Sequence, residues 1–181
     1  LKLAAEVDAS VSDFMTTARL YCSGLNFTFN PHRMILNKVT DCYLTREDGE
    51  RIEIQDDQLY RVVTDLYTGQ MLGSVMEMSY GLLKIEPKDK DGNPIENLEN
   101  QAIMEGDKEL KAWDAIARYM KSFDDTDGNG ISNVPEYYET THGRKVVDES
   151  RNVIDLVKNP NKFSVMIVGI VLVLILIIIL L

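Results

Sequence analysis

Between Phe163 and Leu181 the chain runs for 19 residues without a charge. Sixteen of them are Ile, Leu, Val or Phe, and only Ser164 and Gly169 are not large and apolar. At about 1.5 Å per residue a helix of this length covers roughly 28 Å, close to the ~30 Å hydrocarbon core of a bilayer. Each such side chain favours insertion by roughly 0.3–0.6 kcal/mol. Residues 163–181 therefore read as a single transmembrane helix, and the rest of the chain has to fold on one side of it.

That remainder, residues 1–162, carries the whole charge: 19 Lys and Arg against 29 Asp and Glu, a net −10. A chain of this size can bury a proper core. The acid excess argues against a nucleic-acid polymer or an acidic lipid surface as partner, since both demand clustered Lys and Arg. Cys22 and Cys42 are too few for a disulfide framework or a four-ligand zinc site, although one bridge between them stays open. Leu1 opens directly onto apolar residues at helical spacing, so the chain reads as a fragment that starts inside an element.

Residues 1–18 carry Leu3, Ala4, Val7, Val11, Phe14 and Met15 at helical spacing. Leu25, Phe27 and Phe29 alternate with polar neighbours, which predicts a strand over 24–30 stopped by Pro31. Strands at 38–44 and 51–54 flank Arg46-Glu-Asp-Gly49, a hairpin signal. A more buried strand is expected at 59–64, a helix at 67–78, another strand at 80–85 and a turn at Asp91-Gly-Asn-Pro94. Asp107 caps a predicted helix over 109–123 whose stripe of Leu110, Trp113, Ala117, Met120 and Phe123 reads as core. A last helix is expected from Asn133, with Pro135 in its first turn, to the residue before Gly143. Together these make an α+β fold with a mixed or antiparallel sheet of about 4–6 strands packed with helices. The organisation predicted is a domain at 1–143, a polar juxtamembrane linker at 144–162 and the transmembrane helix at 163–181.

The sharpest local motif is Asp125-Thr-Asp127-Gly-Asn129-Gly-Ile-Ser-Asn133-Val-Pro-Glu136. Oxygen-bearing side chains at loop positions 1, 3, 5, 9 and 12, with Gly130 at position 6, match an EF-hand-type calcium loop. Calcium takes six to eight oxygens, and the glycine permits the sharp turn. Against this, Ser132 stands at position 8 where an apolar residue is usual, and Pro135 interrupts the exit. The alternative is an Asp/Gly-rich turn in which Asn133 and Glu136 cap the following helix. Asp125, Asp127, Asn129, Asn133 and Glu136 are thus the candidate Ca2+ ligands.

No catalytic constellation accompanies it. His32 and His142 are the only histidines, and neither stands at metal-ligand spacing from another His or Cys. The sequence has no G-x-S-x-G, P-loop or G-x-G-x-x-G pattern. The acidic doublets Asp56-Asp57 and Asp124-Asp125 adjoin turns and read as solvated surface.

Two segments carry a resemblance. Ser23-Gly-Leu-Asn-Phe-Thr-Phe-Asn30 is similar to the "SGL-x-F-T-Y-D" strand of the 5'-nucleotidase C-terminal domain, the substrate-recognition half of metal-dependent nucleotide phosphohydrolases. About 30 residues on, Tyr60-Arg-Val-Val-Thr-Asp-Leu-Tyr67 resembles that family's "Y-x-V-A-T-N-x-Y". The resemblance covers roughly residues 1–85 and implies a parent hydrolase whose divalent metal pair lies outside this chain and activates water against a phosphate ester. It also implies a nucleotide or nucleoside partner held by base stacking on aromatic rings. Tyr21 and Tyr67 are the contact residues it suggests here. Where the family continues to "GGDG" and an aromatic, this chain has Gln70-Met-Leu-Gly-Ser-Val75. That difference keeps a second expectation alive, a non-catalytic, calcium-stabilised surface binding module.

The resemblance places the domain outside the cell, on a single-pass C-terminal anchor. Arg144, Lys145, Arg151, Lys158 and Lys162 precede the apolar run, however, and read literally such cations mark a cytoplasmic side. A cytoplasmic tail-anchored protein is therefore the third expectation.

Overall fold

The computed structural model describes residues 1–10, 21–79, 81 and 83–180, apart from the burial of Gly73 and the side chain of Met78. These residues form two compact units, the first built from 1–58 with 143–181 and the second from 59–142. The second is thus an insertion between the two halves of the first.

The first unit is organised on the predicted strand β1 (Leu25–Phe29). Leu25 and Phe27 are buried and Asn26 and Thr28 less so, the period-2 pattern of a half-covered strand. β1 pairs antiparallel with β2 (Val39–Thr45), which pairs antiparallel with β3 (Arg51–Glu53). The hairpin turns where predicted: Gly49 takes φ 88°, and the Asp48 side chain accepts from the Glu50 amide at 2.9 Å. Cys42 lies opposite Phe27 on the buried face, where burial pushes its thiol up to about 11.

Helix α1 (Lys2–Ser10) packs on β2 through its small buried residues Ala5 and Ala9. The predicted continuation to residue 18 lies outside the described residues. Two acids of α1 are buried with it. Glu6 accepts from the amides of Lys38 and Val39 at 2.9 and 3.0 Å, where β2 begins. Asp8 is paired with Lys145, whose ammonium also lies 5.6 Å from the Phe27 and Phe29 rings.

Lys145 belongs to β6 (Lys145–Val147), which runs parallel to β1 and completes a four-stranded mixed sheet in the order β3-β2-β1-β6. Here the structure corrects the expected linker. Residues 144–162 do not trail from a finished domain; they supply a strand, the short helix α4 (Val153–Val157) and a series of side-chain attachments. Val146 and Val147 are good strand formers, and the open side of β1 offers them a partner. The chain then enters α5 (Lys162–Leu180), one helix long and apolar enough to cross a membrane.

In the second unit, α2 (Leu66–Met78) begins where expected, with the Asp65 carboxylate accepting from the Thr68 amide at 2.8 Å. The predicted strand at 59–64 is absent. Those residues join no strand ladder, and Val62 and Val63 are 60% and 68% exposed, because a β-branched run becomes a strand only beside an available edge. Residues 83–85 also lack a ladder, while 80 and 82 lie outside the described residues. Leu83 is buried and its amide bonds the Ser79 hydroxyl.

The helix expected at 109–123 is shorter, α3 (Ala112–Lys121). Gly106 takes φ 61° and, with Asp107, turns a small hairpin of β4 (Met104–Glu105) and β5 (Lys108–Glu109). That turn uses the residue expected to cap the helix. The apolar stripe is not core either: Trp113 is 71% exposed and Met120 about half. In place of the predicted helix after Asn133 there is a single 3₁₀ turn, Glu136–Glu139.

Burial raises the Glu6 carboxyl above its ordinary 4.5, outweighing its two amide hydrogen bonds and the pull of Arg33 and Lys38. A carboxyl raised in the folded state is relatively favoured there in its protonated form, so its ionisation costs stability as pH climbs from 4.5 through the raised value. Glu6→Gln removes that titration. Thermal unfolding in detergent between about pH 4 and 8 should show the difference between variant and wild type moving in the variant's favour as pH rises. A pH-independent difference contradicts this account.

Candidate functional site

The Asp/Asn-rich loop lies between α3 and the 3₁₀ turn, and an aromatic cluster brings its two ends together. Tyr119 and Phe123 at the end of α3 lie 5.0 Å apart edge-on, and Phe123 and Tyr138 lie 5.6 Å apart. The Tyr119 and Tyr138 hydroxyls are hydrogen-bonded, and Tyr137 stacks on His142 at 4.0 Å. Such aromatic pairs contribute roughly 0.5–1.5 kcal/mol each beyond their area. Two backbone-directed bonds tighten the base of the loop, from the Asn133 amide to Asp124 O at 3.0 Å and from the Ser132 hydroxyl to Lys121 O at 3.2 Å.

Inside this clasp the loop folds around one carboxylate. Asp125 Oδ1 accepts from the amides of Gly128 at 2.8 Å and Asn129 at 3.2 Å, and Oδ2 accepts from Gly130 at 2.8 Å. Gly128 and Gly130 hold φ values of 73° and 85°, which a side chain would strain. Asp127 accepts from the Asn129 amide and side chain, and Asn129 Oδ1 accepts from the Ile131 amide at 2.8 Å. The amide hydrogen bonds, that from Gly130 foremost, hold the Asp125 carboxyl below its usual range.

As a cation site the loop is incomplete in this arrangement. Asn133 Oδ1 accepts two hydrogen bonds from Thr126, one from its amide at 2.7 Å and one from its hydroxyl at 3.0 Å, leaving little for a metal. Glu136 opens the 3₁₀ turn instead of closing a twelve-residue loop from an exiting helix. Among the described residues no three His, Cys, Asp or Glu side chains are grouped to hold a metal ion. Asp125, Asp127 and Asn129 are brought together; Asn133 joins them through Thr126, and Glu136 does not join them.

Tyr21 and Tyr67 are both open to solvent, 93% and 64% exposed. Tyr21 follows the undescribed stretch in the first unit, and Tyr67 sits in the first turn of α2 in the second. The histidines occupy structural positions: His32 Nε2 lies 3.2 Å from Glu149, and His142 lies in the aromatic clasp. Sequence reasoning missed that clasp. Its signal was Phe123 and the Tyr137-Tyr138 pair standing on either side of the Asp/Asn run, a pattern with no periodicity to mark it.

No family model, curated protein or solved structure matches the chain.

Because Asp125 is depressed, its contribution is present above its ordinary 3.8 and fades as pH falls through the lower folded value. Hydrogen exchange should therefore find the Gly128, Asn129 and Gly130 amides slow at neutral pH. In Asp125→Ala they should exchange at the rate of an open loop, and unchanged exchange would remove Asp125 from the centre of the fold-back.

Proposed function

We propose that the chain is the substrate-recognition portion of a membrane-anchored extracellular phosphohydrolase of the 5'-nucleotidase or cyclic-nucleotide phosphodiesterase type. On this reading α5 is the single membrane span, and hydrolysis belongs to a two-metal domain outside this chain. The observation that carries the reading is the pair of motifs at 23–30 and 60–67, in the family's order and spacing. The first motif includes β1, the strand on which the mixed sheet is organised, and a mixed sheet with helix α1 packed on it agrees with the expected class. Tyr21 in the first unit and Tyr67 in the second each present an exposed ring on which a planar base can stack.

Stacking contributes roughly 1–3 kcal/mol per base, about 5- to 150-fold in affinity. Titration of adenosine and adenosine monophosphate into the full chain in detergent should saturate. Tyr67→Ala should weaken binding by a factor in that range. No saturable binding of either compound would overturn the recognition role.

A second reading, a calcium-stabilised surface binding module, is favoured by the convergence of Asp125, Asp127 and Asn129 in a loop turned by the positive-φ glycines Gly128 and Gly130. Calcium would have to displace the Thr126 bonds to recruit Asn133. On this reading calcium raises the unfolding temperature of the wild-type chain and leaves Asp125→Ala unmoved, without any nucleoside binding. Equal melting with and without calcium removes this reading.

A further inference from the structure

The apolar helix does not leave the first unit through a free tether. Asn161, immediately before α5, donates from its amide to Asn37 Oδ1 at 3.1 Å and from its side chain to Leu36 O. Its own Oδ1 accepts from the Ser164 amide at 3.0 Å, and its carbonyl accepts from Val165. One side chain thus caps the helix and fastens it to the loop after β1. Arg33, in the same loop, donates to the carbonyls of Asp155 and Lys158 on either side of the end of α4.

Burial along α5 shows how far the attachment reaches. Ser164 is buried at 4% exposure, and Phe163 and Ile167 are partly covered. These positions follow the i, i+1, i+4 spacing of one helix side. The folded unit therefore runs alongside the opening of the apolar run, some 6 Å past Phe163 at ~1.5 Å per residue. If α5 crosses a bilayer, whatever surrounds its first turns is held at the level of the lipid headgroups.

Apolar side chains are exposed there. Met34 and Ile35 precede the residues that grip Asn161, and Ile35 is 59% exposed. In α4, Val153, Ile154 and Val157 are each 65–71% exposed. This five-residue helix shows three large aliphatic side chains to water, while Leu156 is only partly covered.

We propose that Met34, Ile35, Val153, Ile154 and Val157 are seated in the interfacial layer of the bilayer crossed by α5. The first unit then rests directly on the membrane, with Asn161 setting its depth. Apolar residues of this kind enter about 5–10 Å into the headgroup and upper acyl region. Arg151 and Lys162 lie within the same stretch, at the level of lipid phosphate. The net charge of −10 makes zwitterionic lipid the fitting surface. The proposal rests on the membrane-spanning reading of α5, and the test separates the two.

The full chain, with its single tryptophan removed as Trp113→Phe, is reconstituted in phosphatidylcholine vesicles containing lipid brominated in the upper acyl chain. Single tryptophans are then placed by Ile154→Trp, Ile35→Trp or, within the span, Ile175→Trp, the last read with bromine deep in the chain. The expected result is blue-shifted, quenched emission at all three positions. Quenching at 175 with water-like, unquenched emission at both 154 and 35 overturns the docking and leaves the span standing. Absence of quenching at 175 overturns both. Asn161→Ala should reduce quenching at 154 while leaving 175 unchanged; undiminished quenching at 154 overturns the role of Asn161 in setting depth.

Discussion

A buried guanidinium joins the two halves of the first unit. Arg33 is 5% exposed and spends its fork on backbone carbonyls, Nε on Asn37 O at 2.6 Å, Nη2 on Lys158 O at 2.8 Å and Nη1 on Asp155 O. A buried cation is costly unless its donors are satisfied, so this arrangement admits little variation. The residues it joins are more than 120 positions apart. Asn30, 1% exposed, makes the same connection with a donation to Ser150 O at 2.7 Å. The β1–β6 pairing spans only three residue pairs, too short to hold the returning segment unaided. The place of β6, α4 and the entry to α5 therefore depends on polar side chains in the loop between β1 and β2.

The inserted second unit is held by a different economy. Its order comes from local hydrogen bonds: Asp65 to Thr68, Asp89 to Asp91 and Asn93, Asn97 to Glu99, and Asp125 to its three amides. Leu83 is its one described apolar residue that is fully buried. Short polar side chains that bond their own neighbouring backbone favour turns over ladders, which is why turns prevail there and residues 59–64 and 83–85 join no strand ladder.

Legibility in the sequence followed the range of each interaction. The strand at Leu25–Phe29, the Asp48-Gly49 hairpin, the helix at 67–78 and the apolar helix all announce themselves within a few residues. The loop around Asp125 was visible for the same reason, including Gly130 at its turn. The aromatic clasp was not, because Phe123, Tyr138 and His142 meet only after the loop has turned. Trp113 and its stripe misled because amphipathic spacing reports which residues share a face, and says nothing of whether that face finds a cover.

Sequence by itself determined that an acidic, mixed α/β region precedes one uncharged helix long enough to cross a bilayer, since composition and local periodicity suffice for both. Tertiary structure alone decided that residues 144–162 belong to the sheet unit and bind the entry of that helix to it. The reason is physical: the parallel pairing of β6 and the carbonyls that Arg33 gathers are supplied by segments more than a hundred residues apart, and no local pattern encodes a partner at that distance.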